Sequence, residues 1–392
     1  GGTQPGATVP DGSAFVESLD TQRFDGGLIG RASIGASRLL AIRLSGTRQE
    51  HDHGFGPVAE SDRHHTWLAE ASLTGASGRH TWVAGAAVQS DRYRARDVAG
   101  FDYTHTVPAV FAQDDFALSA AVTLSASARL DRHNVYGTLF SPRASALVRP
   151  GAWTVRASAG SGSYAPTPLV EETEAVGLSR VVPGTVLRAE RAASASLDVG
   201  RTVGPCDVHA TLFGSVIRDP VAVRAREGEG LVIANAPGPV RTRGAELVAR
   251  LRWRELVATA TATYTHSTEI DVETGRRREV PLTPRYAAGV VAAWERHGRS
   301  RVGLELYYTG RQPLDDNPYR AASRPYLVVG LLAEHRFGPA RVFVNAENLG
   351  DARQTRHDRL VRPARGPDGR WTVDAWAPLE GRTVNGGVRL SF

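Results

Sequence analysis

The side chains that can bind metals or charged ligands are gathered in a few polar stretches of this 392-residue chain. His51, Asp52 and His53 are followed by His64 and His65, and imidazole and carboxylate are both good ligands for transition metals. No third ligand has a fixed spacing, so the stretch reads as a metal or haem contact or as a solvated loop. Glu171, Glu172 and Glu174 can hold a cation such as calcium, or form a solvated acidic loop. Asp315, Asp316 and Asn317 carry the same two readings. Arg276, Arg277 and Arg278 would attract an anionic chelate, or supply surface charge alone.

Catalysis is not suggested, and the expectation is a protein that is not an enzyme. Gly160-Ser161-Gly162-Ser163 lacks the strand-to-helix context of a nucleophile elbow. No glycine-rich loop precedes a helix, so phosphate cradling has no candidate. The one cysteine, Cys206, excludes an intramolecular disulfide and a four-cysteine zinc site. It reads as a small apolar residue. No cofactor is expected.

The elements that must position these residues are strands. From Arg382 the chain ends RTVNGGVRLSF: Val384, Gly386, Val388, Leu390 and Phe392 alternate with Thr383, Asn385, Gly387, Arg389 and Ser391. Successive side chains of a strand face opposite sides, so one face is apolar or small and the other polar. The same period recurs at Val122–Asp131, Leu256–His266 and Arg301–Thr309. β-branched and aromatic residues fit it. Connections alternate short with long. Short turns are expected near 35–38, 75–79, 149–152, 200–205, 252–255, 297–299 and 338–340. Long polar loops are expected near 50–62, 94–102, 164–186, 225–230, 268–284, 312–324 and 351–379. This asymmetry, and an aromatic at the chain end, are written into bacterial outer-membrane β-barrels. Threading strands through it gives about eighteen. Trp67, Trp82, Tyr93, Phe116, Trp153, Trp253, Trp294 and Phe337 then fall where interfacial girdles belong.

Composition agrees. Hydrophobic residues are 41% of the chain, and no run approaches the roughly 18 apolar residues of a spanning helix. A barrel needs none, because only alternate residues meet lipid. The net charge is +6, but the basic residues, apart from His all Arg, are dispersed. No contiguous basic face or reading motif suggests nucleic acid. Methionine is absent, and the first twelve residues are rich in Gly and Pro. The expectation is a ragged segment over 1–12 and a barrel over 13–392, without a native start or signal peptide.

Several segments then carry a family likeness. Ala112-Gln113-Asp114-Asp115-Phe116 leads into the Val122–Asp131 strand. Ser141-Pro142-Arg143, Leu147-Val148-Arg149-Pro150, Arg156-Ala157-Ser158 and Tyr164-Ala165-Pro166-Thr167 follow. Next come Ala189-Glu190-Arg191 with Leu197-Asp198-Val199-Gly200, and Asn235 with Arg243-Gly244-Ala245-Glu246-Leu247. Pro281-Leu282-Thr283-Pro284 and Asn345-Ala346-Glu347-Asn348-Leu349-Gly350-Asp351 complete the order. In this order, from about Leu28 onward, the chain resembles the barrel of TonB-dependent outer-membrane receptors.

The resemblance implies an all-β, transmembrane antiparallel barrel, with about 18 strands visible of a 22-stranded receptor barrel. The family's plug and energy-coupling box are not visible, which suggests a C-terminal portion or a naturally shortened relative. It also implies active uptake of a siderophore–iron chelate or cobalamin-like ligand, with energy from the inner-membrane TonB complex through the missing N-terminal part. The alternatives are a passive porin and a non-transporting adhesin. Outer loops would bind ligand, making His51, His53, His64, His65, Tyr164, Glu171, Glu172, Arg276, Arg277, Asp315 and Asp316 the candidates. Val388, Leu390 and Phe392 would be read by the barrel-assembly machinery. Outer-membrane lipid and lipopolysaccharide are the expected surroundings.

Overall fold

The computed structural model describes residues 16–169, 177–183, 186–226, 230–296, 298–364, 366 and 371–391. Phe392, Glu171, Glu172 and the start of the barrel expected at residue 13 lie outside them. The first four strands are the longest: β1 (Glu17–Ile34), β2 (Arg38–Phe55), β3 (Val58–Ser77) and β4 (His80–Ala95). β5 (Tyr103–Ala117), β6 (Val122–His133), β7 (Gly137–Val148), β8 (Trp153–Tyr164), β9 (Glu190–Val203) and β10 (Cys206–Arg218) follow. A small hairpin, β11 (Val221–Arg226) and β12 (Gly230–Asn235), interrupts the series. It resumes with β13 (Val240–Trp253), β14 (Leu256–Ile270), the short β15 (Arg277–Glu279), β16 (Tyr286–Arg296) and β17 (Ser300–Thr309). β18 (Tyr326–Phe337), β19 (Ala340–Glu347) and β20 (Thr383–Leu390) end it.

Each wall strand pairs antiparallel with the next, β10 with β13 and β14 with β16 where smaller elements intervene. The sheet has eighteen strands, counting β15, as the alternation led us to expect. Among the described residues no ladder joins β20 to β1.

The registers keep one face apolar throughout. Leu44 is opposite Leu28 and Ala69, Ala86 opposite Ala71 and Val110, and Leu124 opposite Phe116 and Ala146. Leu197 lies between Ala157 and Leu212, Leu247 between Ala210 and Ala262, and Leu304 between Ala292 and Leu331. Val388 and Leu390 of β20 continue it beside Val342 and Ala340. Leu212, Leu247, Leu331 and Val388 are exposed, so this face has no protein cover. Trp82, Trp153, Trp253 and Trp294 stand on it beside the short turns, and Trp67, Tyr264, Tyr286 and Tyr308 at the other end. From Trp67 to the level of Trp82, opposite Gly75, is eight residues, about 26 Å of strand. At a strand tilt of about 40° that is a height of roughly 20 Å, close to the apolar band of an outer-membrane barrel, roughly 25 Å.

Tyr93 does not belong to the girdle. It lies on the opposite, inward face, 3% exposed, because it is out of step with Trp82, Ala84, Ala86 and Val88, which face outward with Arg92 and Arg94.

The turns at 35–37, 78–79, 204–205 and 338–339 are short, and Gly35, Gly78, Gly204 and Gly338 supply their positive φ. The other end is less uniform than expected. The loop anticipated over 50–62 is a continuous hairpin: β2 runs to Phe55, β3 starts at Val58, and Glu50 through Phe55 pair with Arg63 through Val58. Polar residues there do not mark a loop, because strands that rise beyond the hydrocarbon have water on both faces. The connection over 134–136 between β6 and β7 is likewise a tight turn.

Candidate functional site

The inward side chains of β1 to β8 surround a cavity of about 1040 Å³ at the end of the sheet opposite the short turns. Alternation decides which residues reach it. On β2 these are Gln49, His51, His53 and Phe55, and on β3 Glu60, Asp62 and His64. β4 gives Gln89, Asp91 and Tyr93, β5 gives Tyr103 and His105, and β6 gives Arg129, Asp131 and His133. Tyr164 enters from the end of β8, more than half exposed.

Register then pairs unlike groups across strands. His51 sits opposite Asp62, and its Nδ1 lies 2.9 Å from Asp62 Oδ1. His64 Nε2 lies 2.6 Å from Asp91 Oδ1 on β4, and His53 Nε2 lies 3.1 Å from Glu17 Oε1 on β1. Each carboxylate orients an imidazole, as in sites where the ring's second nitrogen is the working one. Arg129 donates to Asp131 at 2.8 Å.

A band of rings crosses the wall beside these pairs. His64 meets Tyr93 at 5.8 Å between centroids, Tyr93 stacks on Tyr103 at 5.7 Å, and Tyr103 meets His105 at 4.7 Å. His105 then meets His133 at 4.6 Å, and His133 meets Tyr136 at 4.9 Å. Tyr136, in the turn after β6, donates its hydroxyl to Pro166 O at 2.7 Å, and burial raises its phenol above the usual range.

The outer connections close over this space. Leu178 and Val181 from the segment after β8, Phe101 from the β4–β5 loop, and Leu231 and Ile233 of β12 form a buried cluster with Tyr93. Val181 bridges Leu231, and Val182 N–H donates to Leu231 O at 2.8 Å. A carboxylate of the wall anchors the strap: Glu60 accepts the backbone N–H groups of Leu178 at 2.8 Å and Ser179 at 2.9 Å. Gly177, with φ 87°, enters this anchor where a Cβ would strike the Glu60 and Phe55 side chains. Beside it Asp97, in the β4–β5 loop, accepts from the Ser61 side-chain hydroxyl and from its backbone N–H at 2.7 Å. Those bonds hold its carboxyl below the usual range.

The cavity lining holds five carboxylates, Glu17, Glu60, Asp62, Asp91 and Asp131, against one guanidinium, Arg129. Among the described residues no three His, Cys, Asp or Glu side chains are placed to hold one metal ion. The walls therefore offer hydrogen bonds, aromatic faces and negative potential to a molecule, rather than a ready coordination sphere for a bare ion.

Of the residues expected to contact ligand, His51, His53, His64 and Tyr164 line this cavity. They reach it from strands, and Tyr164 from a strand end. His65 is excluded: it alternates with His64 and faces outward among Arg48, Arg63 and Arg92. Asp315 is held by Arg278 at 2.8 and 2.9 Å, and Asp316 by Arg362 at 2.9 and 3.1 Å, both away from the cavity. Arg276 and Arg277 do not line it either. Sequence reasoning missed Asp62, Asp91, Tyr93, Tyr103, His105 and His133. Counting alternation outward from the apolar residues of each strand would have put all six on the inward face.

The family model described as TonB dependent receptor-like, beta-barrel, matches residues 11–349. No curated protein matches the chain. Among solved structures, the siderophore receptor PirA from Pseudomonas aeruginosa is 15% identical with a TM-score of 0.69, over 95% of this chain and 65% of that one. A variant of the ferric enterobactin receptor PfeA from Pseudomonas aeruginosa is 16% identical with a TM-score of 0.75, over 95% and 62%. The FrpB iron transporter from Neisseria meningitidis is 14% identical with a TM-score of 0.73, over 94% and 63%. Likeness at such identity is a likeness of fold. The chain spans less than two thirds of the length of each of these three structures.

Proposed function

The chain belongs to the TonB-dependent receptor family of outer-membrane β-barrels, and on that premise we propose that it takes up a metal chelate, a siderophore–iron complex or cobalamin-like ligand, by energised transport. The observation that carries this reading is the strapped cavity of about 1040 Å³ on the inward face, lined by oriented imidazoles and tyrosines. Its volume lies at the upper end of ordinary ligand pockets. Relatives of the same fold are a siderophore receptor, a ferric enterobactin receptor and an iron transporter. The proposal includes a plug and a contact with the inner-membrane TonB complex, both contributed by sequence beyond these residues.

The test is growth of an iron-limited host that lacks its other iron receptors and expresses the intact receptor. A panel of iron chelates should include one that supports growth. His64→Ala and Asp91→Ala, in the cavity, should abolish that growth, whereas His65→Ala, one residue away on the other face, should leave it intact. Uptake that survives collapse of the proton gradient would replace this reading with a passive channel.

A further inference from the structure

A second cavity, of about 610 Å³, lies on the opposite, outward face of the wall between β9 and β14. Its floor is made of small and apolar residues, Ala193, Ala195, Gly214 and Val216. Its rim carries Arg241, Arg243 and Arg277, with His266. No acidic residue lines it.

The charge at this rim is unbalanced. Elsewhere at this end of the outward face some guanidiniums are matched: Arg63 and Arg96 converge on Glu50 at 2.9 and 3.1 Å, and Arg94 meets Asp102 at 3.4 Å. Arg191 and Arg218, opposite each other beside the floor, add to the charge unmatched among the described residues. Arg278, beside the groove but on the other face, holds Glu269 and Asp315. Arg241 and Arg243 have no carboxylate partner among the described residues. Arg277 donates only to neutral oxygens, Pro239 O at 3.2 Å and Thr268 Oγ1 at 3.0 Å, so it is held in place with its charge unspent.

Depth completes the argument. Arg243 pairs across the ladder with His266, one outward step beyond Tyr264 of the upper girdle, and Arg241 stands one step further. Leu247 and Leu212 lie on the same face toward mid-wall, both exposed. The cations therefore sit at headgroup level and the apolar floor runs down toward hydrocarbon. Guanidiniums in a fixed fork bind phosphate oxygens well, and basic clusters at a membrane surface select anionic lipid headgroups.

We propose that this groove is a binding site for a phosphorylated lipid of the outer leaflet, lipopolysaccharide, with headgroup phosphate on Arg241, Arg243 and Arg277 and an acyl chain on the Ala193–Val216 floor. The site rests on the outward face alone and does not depend on which chelate the inward cavity takes.

The experiment measures retention of lipopolysaccharide by the intact receptor, purified and placed in bilayer discs of neutral lipid, by native mass spectrometry and titration. Joint replacement of Arg241, Arg243 and Arg277 by Gln should weaken binding about 100-fold, the effect expected of three basic residues at a lipid surface. Arg63→Gln, at an arginine already matched by Glu50, should leave it unchanged. Gly214→Leu keeps every charge and fills the floor, where a Cβ meets only Thr242 O at 3.8 Å; it should weaken lipopolysaccharide and spare binding of inorganic pyrophosphate. Wild-type retention in the triple variant overturns the site. Full displacement by pyrophosphate with no effect of Gly214→Leu overturns the lipid in favour of a free phosphate. Heat-modifiable migration of each variant separates lost binding from lost folding.

Discussion

Placing an arginine at Leu304 tests the central physical claim, that one face of this wall meets hydrocarbon. On β17 the outward residues are Val302, Leu304, Leu306 and Tyr308, and Val302 is paired with Trp294 of the lower girdle. From Val302 to Tyr308 is six residues, about 20 Å of strand, and with the strands tilted about 40° Leu304 lies roughly 5 Å inside the band. Its neighbours across the ladders, Ala292 and Leu331, offer no polar partner. An arginine at the bilayer midplane costs about 2–4 kcal/mol and little at the interface, so at this depth Leu304→Arg should cost about 2–3 kcal/mol. That is roughly a 30- to 150-fold shift in the folding equilibrium. Glu305, the next residue, faces inward between Val291 and Gly330. Glu305→Arg should stay within about 0.5 kcal/mol, as for an ordinary solvated substitution. The assay is denaturant unfolding of the intact receptor refolded into vesicles, read by heat-modifiable migration. Equal costs at the two positions, or a greater cost at Glu305, would refute the assignment of faces.

Three further outcomes follow from the loops. Asp358, its side chain 1% exposed, pairs with Arg320 and accepts from Trp376 Nε1 at 3.0 Å, fixing the long connection before β20. Asp358→Ala should loosen that connection by about 1–3 kcal/mol, since it leaves the buried Trp376 indole N–H without its acceptor and the partly exposed Arg320 without its partner; hydrogen exchange across 348–364 and 371–382 checks it, and unchanged protection would be the contrary result. Gly177→Val should detach the strap from Glu60, because the new side chain meets Glu60 and Phe55 at a positive φ; protease cleavage within 177–183 should accelerate while the wall strands stay protected. The depressed Asp97 carboxyl stabilises the Ser61 contact fully above its unfolded pKa of about 4, and that stability is lost as pH falls through the lower folded value. The Ser61 amide should therefore be fully protected above about pH 4 and lose protection as the pH falls further, and a constant protection factor from about pH 2 to 6 would contradict it.

The chain spelled out its wall plainly. Val384, Gly386, Val388 and Leu390 alternate with polar residues, and the structure sets Val388 beside Val342 and Leu390 beside Ala340, on the predicted face. Alternation is local chemistry: hydrocarbon outside and water inside leave a mark on every second residue. Turn residues are similarly local, and Gly78, Gly204 and Gly338 sit where short connections were expected. Beyond the hydrocarbon that mark disappears, because water bathes both faces. Glu50 through Asp62 therefore read as a loop, although β2 and β3 continue through it.

The cavity was the part that tertiary structure alone decided. His51 and His64 are visible as residues, but their partners depend on register, which places Asp62 opposite His51 and brings Asp91 within 2.6 Å of His64. His64 and His65 are adjacent in sequence and equal in chemistry, yet alternation sends one to the cavity and the other to the arginine-rich exterior. The strap joins Glu60 to Leu178 across 118 positions of chain, and the buried cluster joins Phe101 to Ile233. Such contacts are fixed by how neighbouring strands slide against one another and by which loops then meet over the opening. Neither is encoded within any single stretch of residues.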